Sequence, residues 1–83
     1  MNKDKIETAK GLCVVGLTKY LMSLYSISQD EAYKKLVKME LYSLLMDDET
    51  RLYLESDSYL QQCCKTEIES GVDALYELIK PEL

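Results

Sequence analysis

Three cysteines and a run of carboxylates are the side chains of this chain that could do chemistry. Cys63 and Cys64 are adjacent, Cys13 lies far from them, and residues 47–57 are rich in acids. Paired thiols can act in redox chemistry or bind a metal. Grouped carboxylates can act as general acid and base or bind calcium. The acids in this run are Asp47, Asp48, Glu49, Glu55 and Asp57.

The residue types and their spacing argue against each of these activities. The sequence has no histidine, which removes the usual general base and the usual partner of a nucleophilic serine or cysteine. Zinc needs four ligands, and the three cysteines include no C-x₂-C pair. A calcium loop starting at Asp47 needs glycine at its sixth position and glutamate at its twelfth, where Leu52 and Ser58 stand. We therefore expect no enzyme activity, no metal and no cofactor, and we expect the acidic run to be a solvated loop.

Helical geometry separates the two adjacent cysteines. Neighbouring side chains in a helix point about 100° apart. Cys64 falls on the apolar face of its helix, and Cys13 falls on that of the first helix, so both are predicted to be core residues. Cys63 falls at the flank beside Glu67, so we predict that it is partly exposed and that Glu67 raises its pKa. A disulfide between Cys13 and Cys64 is sterically conceivable, but an odd cysteine count favours a reducing compartment.

The composition is typical of one small helical domain. The 83 residues are 47% apolar and 30% charged, with 3 glycines and 1 proline, too few for a fold with many turns. The first ten residues are polar and of mixed charge, unlike a secretory signal. The most apolar run, residues 12–27, is shorter than the roughly 20 residues of a membrane span. We predict a single cytoplasmic domain over residues 1–83.

Hydrophobic periodicity predicts an all-α bundle of three to five helices. The first helix is predicted from about Asp4 to Tyr25, with an apolar face wider than one partner helix would cover. The second begins after the capping box formed by Ser28 and Glu31 and runs to about Met46. Its predicted core face is Tyr33, Val37, Leu41 and Leu44.

The acidic run interrupts the helical pattern. We predict a short irregular connector around residues 47–57, extended or 3₁₀ at residues 52–54. A second capping box, Ser58 with Gln61, predicts a helix that begins at about Tyr59.

The last helical segment contains one glycine. The apolar period continues through Gly71, which slightly favours one helix, whereas the local Glu-Ser-Gly sequence favours a break. Both readings stay open. Pro81 is predicted to end the helical pattern.

Charge is unevenly distributed along the chain. Residues 1–46 have a net charge of +2 and residues 47–83 a net charge of −7, which argues against general binding to nucleic acid. A strip of lysines on the second helix is the one candidate for DNA contact. A recognition helix over residues 59–70 would be predominantly acidic, which disfavours a helix-turn-helix. A DNA-binding regulator or antitoxin-like protein is therefore the alternative hypothesis, and its contacts would be Lys34, Lys35 and Lys38.

Every aromatic residue of the chain is tyrosine. A buried tyrosine needs a hydrogen-bond partner, and tyrosine is enriched at protein interfaces. Packing at the edge of the core explains most of these tyrosines. Those around the acidic connector also define a candidate interaction surface, which we call the Tyr-acid patch: Tyr42, Asp47, Asp48, Tyr53 and Tyr59.

Residues 31–60, about a third of the chain, resemble a group of short uncharacterised bacterial proteins. That group shows a helix, then Y-x-L-L-x-D-x-E-T, a short hydrophobic piece and S-x-x-Y-L. The resemblance implies a small helical cytosolic protein, and it implies no ligand and no catalytic residue. If the acidic turn is shared by the group, residues 47–50 are a capping or docking element. The matching residues are Tyr42, Leu44, Leu45, Asp47, Glu49, Thr50, Ser56, Tyr59 and Leu60.

The leading hypothesis is a non-enzymatic protein–protein interaction module. A partner would dock on the Tyr-acid patch, or a second copy would bind through the broad apolar face of the first helix. We expect no membrane contact and no small-molecule ligand.

Overall fold

The computed structural model describes residues 2–80, and within them the chain forms five α-helices. Two 3₁₀ turns, Asp48–Thr50 and Leu52–Leu54, occupy the segment between the third and fourth helices. An all-α bundle of three to five helices with an irregular connector around residues 47–57 is therefore confirmed. The helices are α1 (Lys3–Tyr25), α2 (Gln29–Leu36), α3 (Glu40–Met46), α4 (Asp57–Ser70) and α5 (Val72–Ile79).

The long helix α1 packs against α2, α3 and α4. Its 23 residues span about 34 Å at 1.5 Å per residue, close to the 35 Å longest extent of the molecule. At its start, the side chain of Asn2 accepts a hydrogen bond from the N–H of Lys5 at 2.9 Å. At its end, Ser26 has a φ of 55° and donates its N–H to the carbonyl of Met22. The bounds agree with the prediction to within one residue.

The predicted capping box at the start of α2 is present. Ser28 Oγ accepts a hydrogen bond from the N–H of Glu31 at 3.2 Å, and Glu31 Oε1 accepts one from the N–H of Ser28 at 3.3 Å. The prediction of a single helix from here to Met46 is wrong. The helix ends at Leu36, and α3 begins at Glu40.

Burial of two pairs of residues explains this break. Ala32 and Leu36 of α2 and Leu41 and Leu45 of α3 are all completely buried. In one continuous helix, at about 100° per residue, the first pair would lie on the side opposite to the second. The turn at residues 37–39 removes this conflict and directs both pairs into the core.

Only part of the predicted core face of this segment is buried. Leu41 is buried and Leu44 is half-buried, but Tyr33 and Val37 are 44% and 37% exposed. The prediction fails at Tyr33 and Val37 because it continues one helical period through a turn.

α4 begins earlier than predicted, and the segment after it is divided. Ser56, not Ser58, is the N-cap, since Ser56 Oγ accepts a hydrogen bond from the N–H of Tyr59 at 3.2 Å. Asp57 in the first turn then places negative charge at the positive end of the helix. At the other end, Gly71 has a φ of 91°, a conformation that glycine adopts without strain. Of the two readings left open at Gly71, the structure therefore shows the break, and the slightly favoured continuous helix is wrong: α4 and α5 are separate helices.

α5 packs against α4 and is also tied to α3. The hydroxyl of Tyr76 donates a hydrogen bond to the carboxylate of Glu40 at 3.1 Å. Pro81, which we expected to end the helical pattern, lies outside the described residues.

One hydrophobic core joins all five helices. α1 contributes residues from one side only, and the 3₁₀ turn at residues 52–54 closes the core with Leu52. The buried apolar residues are Cys13, Leu17, Leu21, Ala32, Leu36, Leu41, Leu45, Leu52, Leu60, Cys63, Cys64 and Leu75.

The short helix α3 is capped at its N-terminus by a side chain from another helix. Met39, its own N-cap residue, makes no side-chain cap. The carboxylate of Glu67, in α4, instead accepts hydrogen bonds from the N–H groups of Glu40 and Leu41, each at 2.9 Å. A carboxylate at this end satisfies two free N–H groups and opposes the positive end of the helix dipole.

The C-terminus of α3 is capped by a cation from α1. Lys10 Nζ donates a hydrogen bond to the carbonyl of Met46 at 2.8 Å, and it also pairs with the carboxylate of Asp48. Thr50 Oγ1 donates to the carbonyl of Leu44 at 2.6 Å. Each end of α3 therefore meets a side chain of the opposite charge.

We predict that Glu67→Ala destabilises the fold. The variant leaves two N–H groups at a partly buried helix end without acceptors, so we expect the free energy of unfolding to fall by about 1–3 kcal/mol. Urea denaturation followed by circular dichroism measures this loss.

The matched control is Glu69→Ala, on the exposed side of the same helix, which should change stability by no more than about 0.5 kcal/mol. Equal unfolding midpoints for the two variants would show that the Glu67 cap contributes nothing.

Candidate functional site

Two members of the Tyr-acid patch meet around Lys10. This lysine is buried, with 5% of its surface exposed, and its Nζ pairs with the Asp48 carboxylate and lies 5.9 Å from the centre of the Tyr53 ring. The hydrogen bond that Lys10 donates to the Asp48 carboxylate is the main cause that raises the pKa of Lys10. Asp48 and Tyr53 line a cavity of about 530 Å³ with Arg51 and Leu54. The negative charge of Asp48 at this cavity is therefore partly neutralised by Lys10.

The other members of the patch lie apart from this cavity. Asp47 is exposed, and its carboxylate accepts the N–H of Glu49 at 3.0 Å, which starts the 3₁₀ turn. Tyr42 is half-buried, and a hydrogen bond with Tyr33 is the first cause that raises its pKa. Tyr59 is half-buried beside Cys63, and burial is the main cause that raises its pKa.

Sequence reasoning missed Lys10 and Glu67. Lys10 interrupts an apolar series, Ile6, Cys13 and Leu17, at helical spacing, which marks it as a lysine on a core face. A lysine there needs a buried acceptor, and the acidic run supplies one in Asp48. The sequence around Glu67 gives no comparable signal. Its partner is the N-terminus of α3, which exists only because the helix breaks at residues 37–39.

All three cysteines are free and buried. Cys13 and Cys64 are core residues as predicted, whereas the prediction of a partly exposed Cys63 is wrong, since none of its surface is exposed. α4 packs against α1, α3 and α5, so a flank position on this helix is also covered. Burial raises the pKa of Cys13 and Cys63, and it raises that of Cys64 to about 12. Glu67 contributes to the pKa shift of Cys64, not Cys63, because its carboxylate faces the start of α3.

The lysines of the alternative hypothesis lie together. Lys34, Lys35 and Lys38 line a groove of about 300 Å³ whose other walls include Tyr25 and Ile68. Lys35 Nζ lies 4.9 Å from the centre of the Tyr25 ring. Lys34 also forms an exposed ion pair within its own helix, at 3.1 Å.

The side of α1 that faces away from the core carries exposed apolar residues. Leu12 is 68% exposed and Val15 is 51% exposed, one helical turn apart. Beside them lies a groove of about 350 Å³ between α1 and α2, lined by Val15, Met22 and Tyr33 among others. We call this side the outer face of α1, and we define it by six exposed residues: Asp4, Thr8, Gly11, Leu12, Val15 and Lys19.

Residues 2–80 contain neither a metal-binding cluster nor a single helix able to span a membrane. No group of three or more His, Cys, Asp or Glu side chains in that range could hold a metal ion. No single described helix is long and apolar enough to cross a membrane. Only α1 and α2 taken together reach that length and composition, and they are bent by 112°.

In comparisons with known proteins, no family model matches the chain, and no curated protein or solved structure matches it.

We predict that all three thiols react slowly in the native protein. A raised pKa keeps each thiol protonated at neutral pH, and burial blocks access, so labelling requires opening of the fold. We expect alkylation at pH 8 to be at least about 100-fold slower than in urea at every cysteine, resolved by peptide mass spectrometry.

A Lys65→Cys variant places a thiol at an exposed position of α4, two residues beyond Cys63, and should be labelled at nearly the unfolded rate. Fast labelling of native Cys63 would contradict the packing described for α4.

Proposed function

We propose that this protein is a small non-enzymatic module for protein–protein interaction, which presents the outer face of α1 to a partner. The observation that supports this proposal most is the exposure of Leu12 and Val15 in the middle of a long helix. Large apolar side chains that adjoin an apolar groove and are flanked by polar residues are typical of protein contact sites.

The position of α1 in the fold strengthens this argument. The opposite side of the helix already carries its core residues, including Leu17 and Leu21, each 1% exposed. A helix that is apolar on two sides is typical of one covered on both. Within residues 2–80, the bundle covers only the inner side at Leu12 and Val15.

The rest of the molecule is consistent with a module that performs no chemistry. Its thiols are buried and protonated, and the carboxylate of Asp48 is paired with Lys10. The free thiols also fit the reducing cytoplasm, where we place the protein.

Photo-crosslinking in the cells that make this protein tests the proposal. A benzoylphenylalanine residue is introduced at Leu12 or at Val15, and at exposed Lys65 of α4 as the control. We expect both outer-face positions to crosslink to the same protein, identified by mass spectrometry, and position 65 not to do so. Absence of a crosslink from Leu12 and Val15, or the same products from Lys65, would contradict the proposal.

DNA binding is the second candidate, because Lys34, Lys35 and Lys38 line one groove. If these lysines contact phosphates, the logarithm of the binding constant should fall with the logarithm of salt concentration with a slope of about −3. Replacing all three by glutamine should abolish that binding in fluorescence anisotropy with a labelled duplex. Unchanged binding would exclude this groove as the DNA contact. The control variant carries glutamine at three other exposed lysines: Lys3, Lys5 and Lys65.

A further inference from the structure

We propose that the partner on the outer face of α1 is a second copy of this chain, bound as a two-fold symmetric dimer with the two α1 helices antiparallel. This inference rests on the proposed function, which it makes specific. It is carried by the order of charged, small and apolar residues along the exposed side of one helix.

The six residues of the outer face form one continuous strip. At about 100° per residue they fall within an arc about 100° wide. The residues Thr8, Leu12, Val15 and Lys19 alternate by four and three positions, which is the spacing that coiled-coil seams use. All six are exposed, and α1 extends over nearly the whole length of the molecule, so the strip is accessible to a helix lying alongside it.

The strip is complementary to itself when one copy is reversed. With a two-fold axis between Gly11 and Leu12, Asp4 of one copy meets Lys19 of the other, and Thr8 meets Val15. Gly11 meets Leu12 at the centre. Symmetry repeats each contact, so the dimer has an apolar and small-residue centre with an opposite-charge pair at each end.

The glycines of α1 support the close approach at this centre. A side-chain carbon added at Gly16 would lie 3.5 Å from the carboxylate of Asp57, so that glycine is packed within the chain. One added at Gly11 would meet no atom of the described residues within 4 Å. Glycine destabilises the interior of a helix, and no packing within residues 2–80 offsets that effect at Gly11. In the dimer, Leu12 of the second copy packs against the backbone at Gly11.

The charges also select the antiparallel arrangement. In a parallel pair, Asp4 would face Asp4 and Lys19 would face Lys19, and like charges across an interface are unfavourable. A symmetric antiparallel pair is closed, so it ends at two copies and does not extend into a filament. Contact through a single helix from each chain is small, so we expect a dimer that dissociates on dilution, with a Kd on the order of micromolar.

Charge reversal at the two ends tests this arrangement. Sedimentation equilibrium of the full chain, from low micromolar to millimolar concentration, gives the Kd. We expect D4K and K19E each to weaken dimerisation by about tenfold, because two attractive pairs become repulsive. The double variant D4K/K19E restores opposite charges in the proposed register and should return the Kd to near the original value. K65E, at an exposed position of α4, is the control and should leave the Kd unchanged.

The outcomes separate this inference from the proposed function. Recovery of the original Kd in the double variant would support the antiparallel register. If a single variant weakened dimerisation only because it misfolded, adding the second substitution would not restore the Kd. Circular dichroism of each variant checks the fold, and K19E carries the test alone if D4K fails to fold. A monomer at all concentrations, single variants without effect, or a double variant without rescue would overturn the dimer. The module proposal survives such a result if Leu12 and Val15 crosslink to a different protein, and it fails as well if they crosslink to none.

Discussion

The arrangement of this bundle depends on the seven-residue helix α3. A carboxylate binds at its N-terminus and an ammonium group binds at its C-terminus. α3 is too short to be stable alone, because a helix of two turns leaves most of its backbone groups unpaired. Glu67 supplies acceptors at its N-terminus, and Lys10 supplies donors at its C-terminus. These side chains come from α4 and α1, so the same contacts that complete α3 also fix the position of both long helices around it.

This constraint explains the acid-rich connector at residues 47–57, whose carboxylates are by residue type candidates for acid–base chemistry. Asp48 pairs with the buried Lys10, Asp47 starts the 3₁₀ turn, and the hydroxyl of Thr50 donates to the carbonyl of Leu44. The segment thus satisfies backbone groups and a buried cation within the fold. Asp47, Asp48 and Thr50 are thus engaged in structure, whereas the apolar side chains of Leu12 and Val15 on the outer face of α1 stay exposed.

Features set by local interactions could be predicted from the sequence, and features set by contacts between distant segments could not. The capping box at Ser28 joins residues three apart, and the start of α2 follows from it. The break after α2 depends on burying both Leu36 and Leu41 in the core, and the start of α3 beyond it is capped by Glu67, far along the chain. The helical period of the sequence alone therefore continues through the break. Cys63 was misplaced for the same reason, since a helix wheel shows a flank but not the number of neighbouring helices that cover it. For the candidate site, the sequence predicts a broad apolar face on α1. Which residues of that face are buried and which are exposed depends on how α3 and α4 pack against the helix.

α1 serves both the core and the outer face, because residues only two positions apart on it point to opposite sides of the helix. Lys10 points inward and holds the end of α3, while Leu12 points outward and is the most exposed large apolar residue described on that helix. A chain of this size buries only about 60% of its unfolded surface and has little stability to spare. A partner that binds only the folded helix adds its binding free energy to the free energy of unfolding. In the proposed dimer that partner is the chain itself, so folding and association reinforce each other, and the apolar residues on the outer face of α1 contribute to stability without belonging to the core.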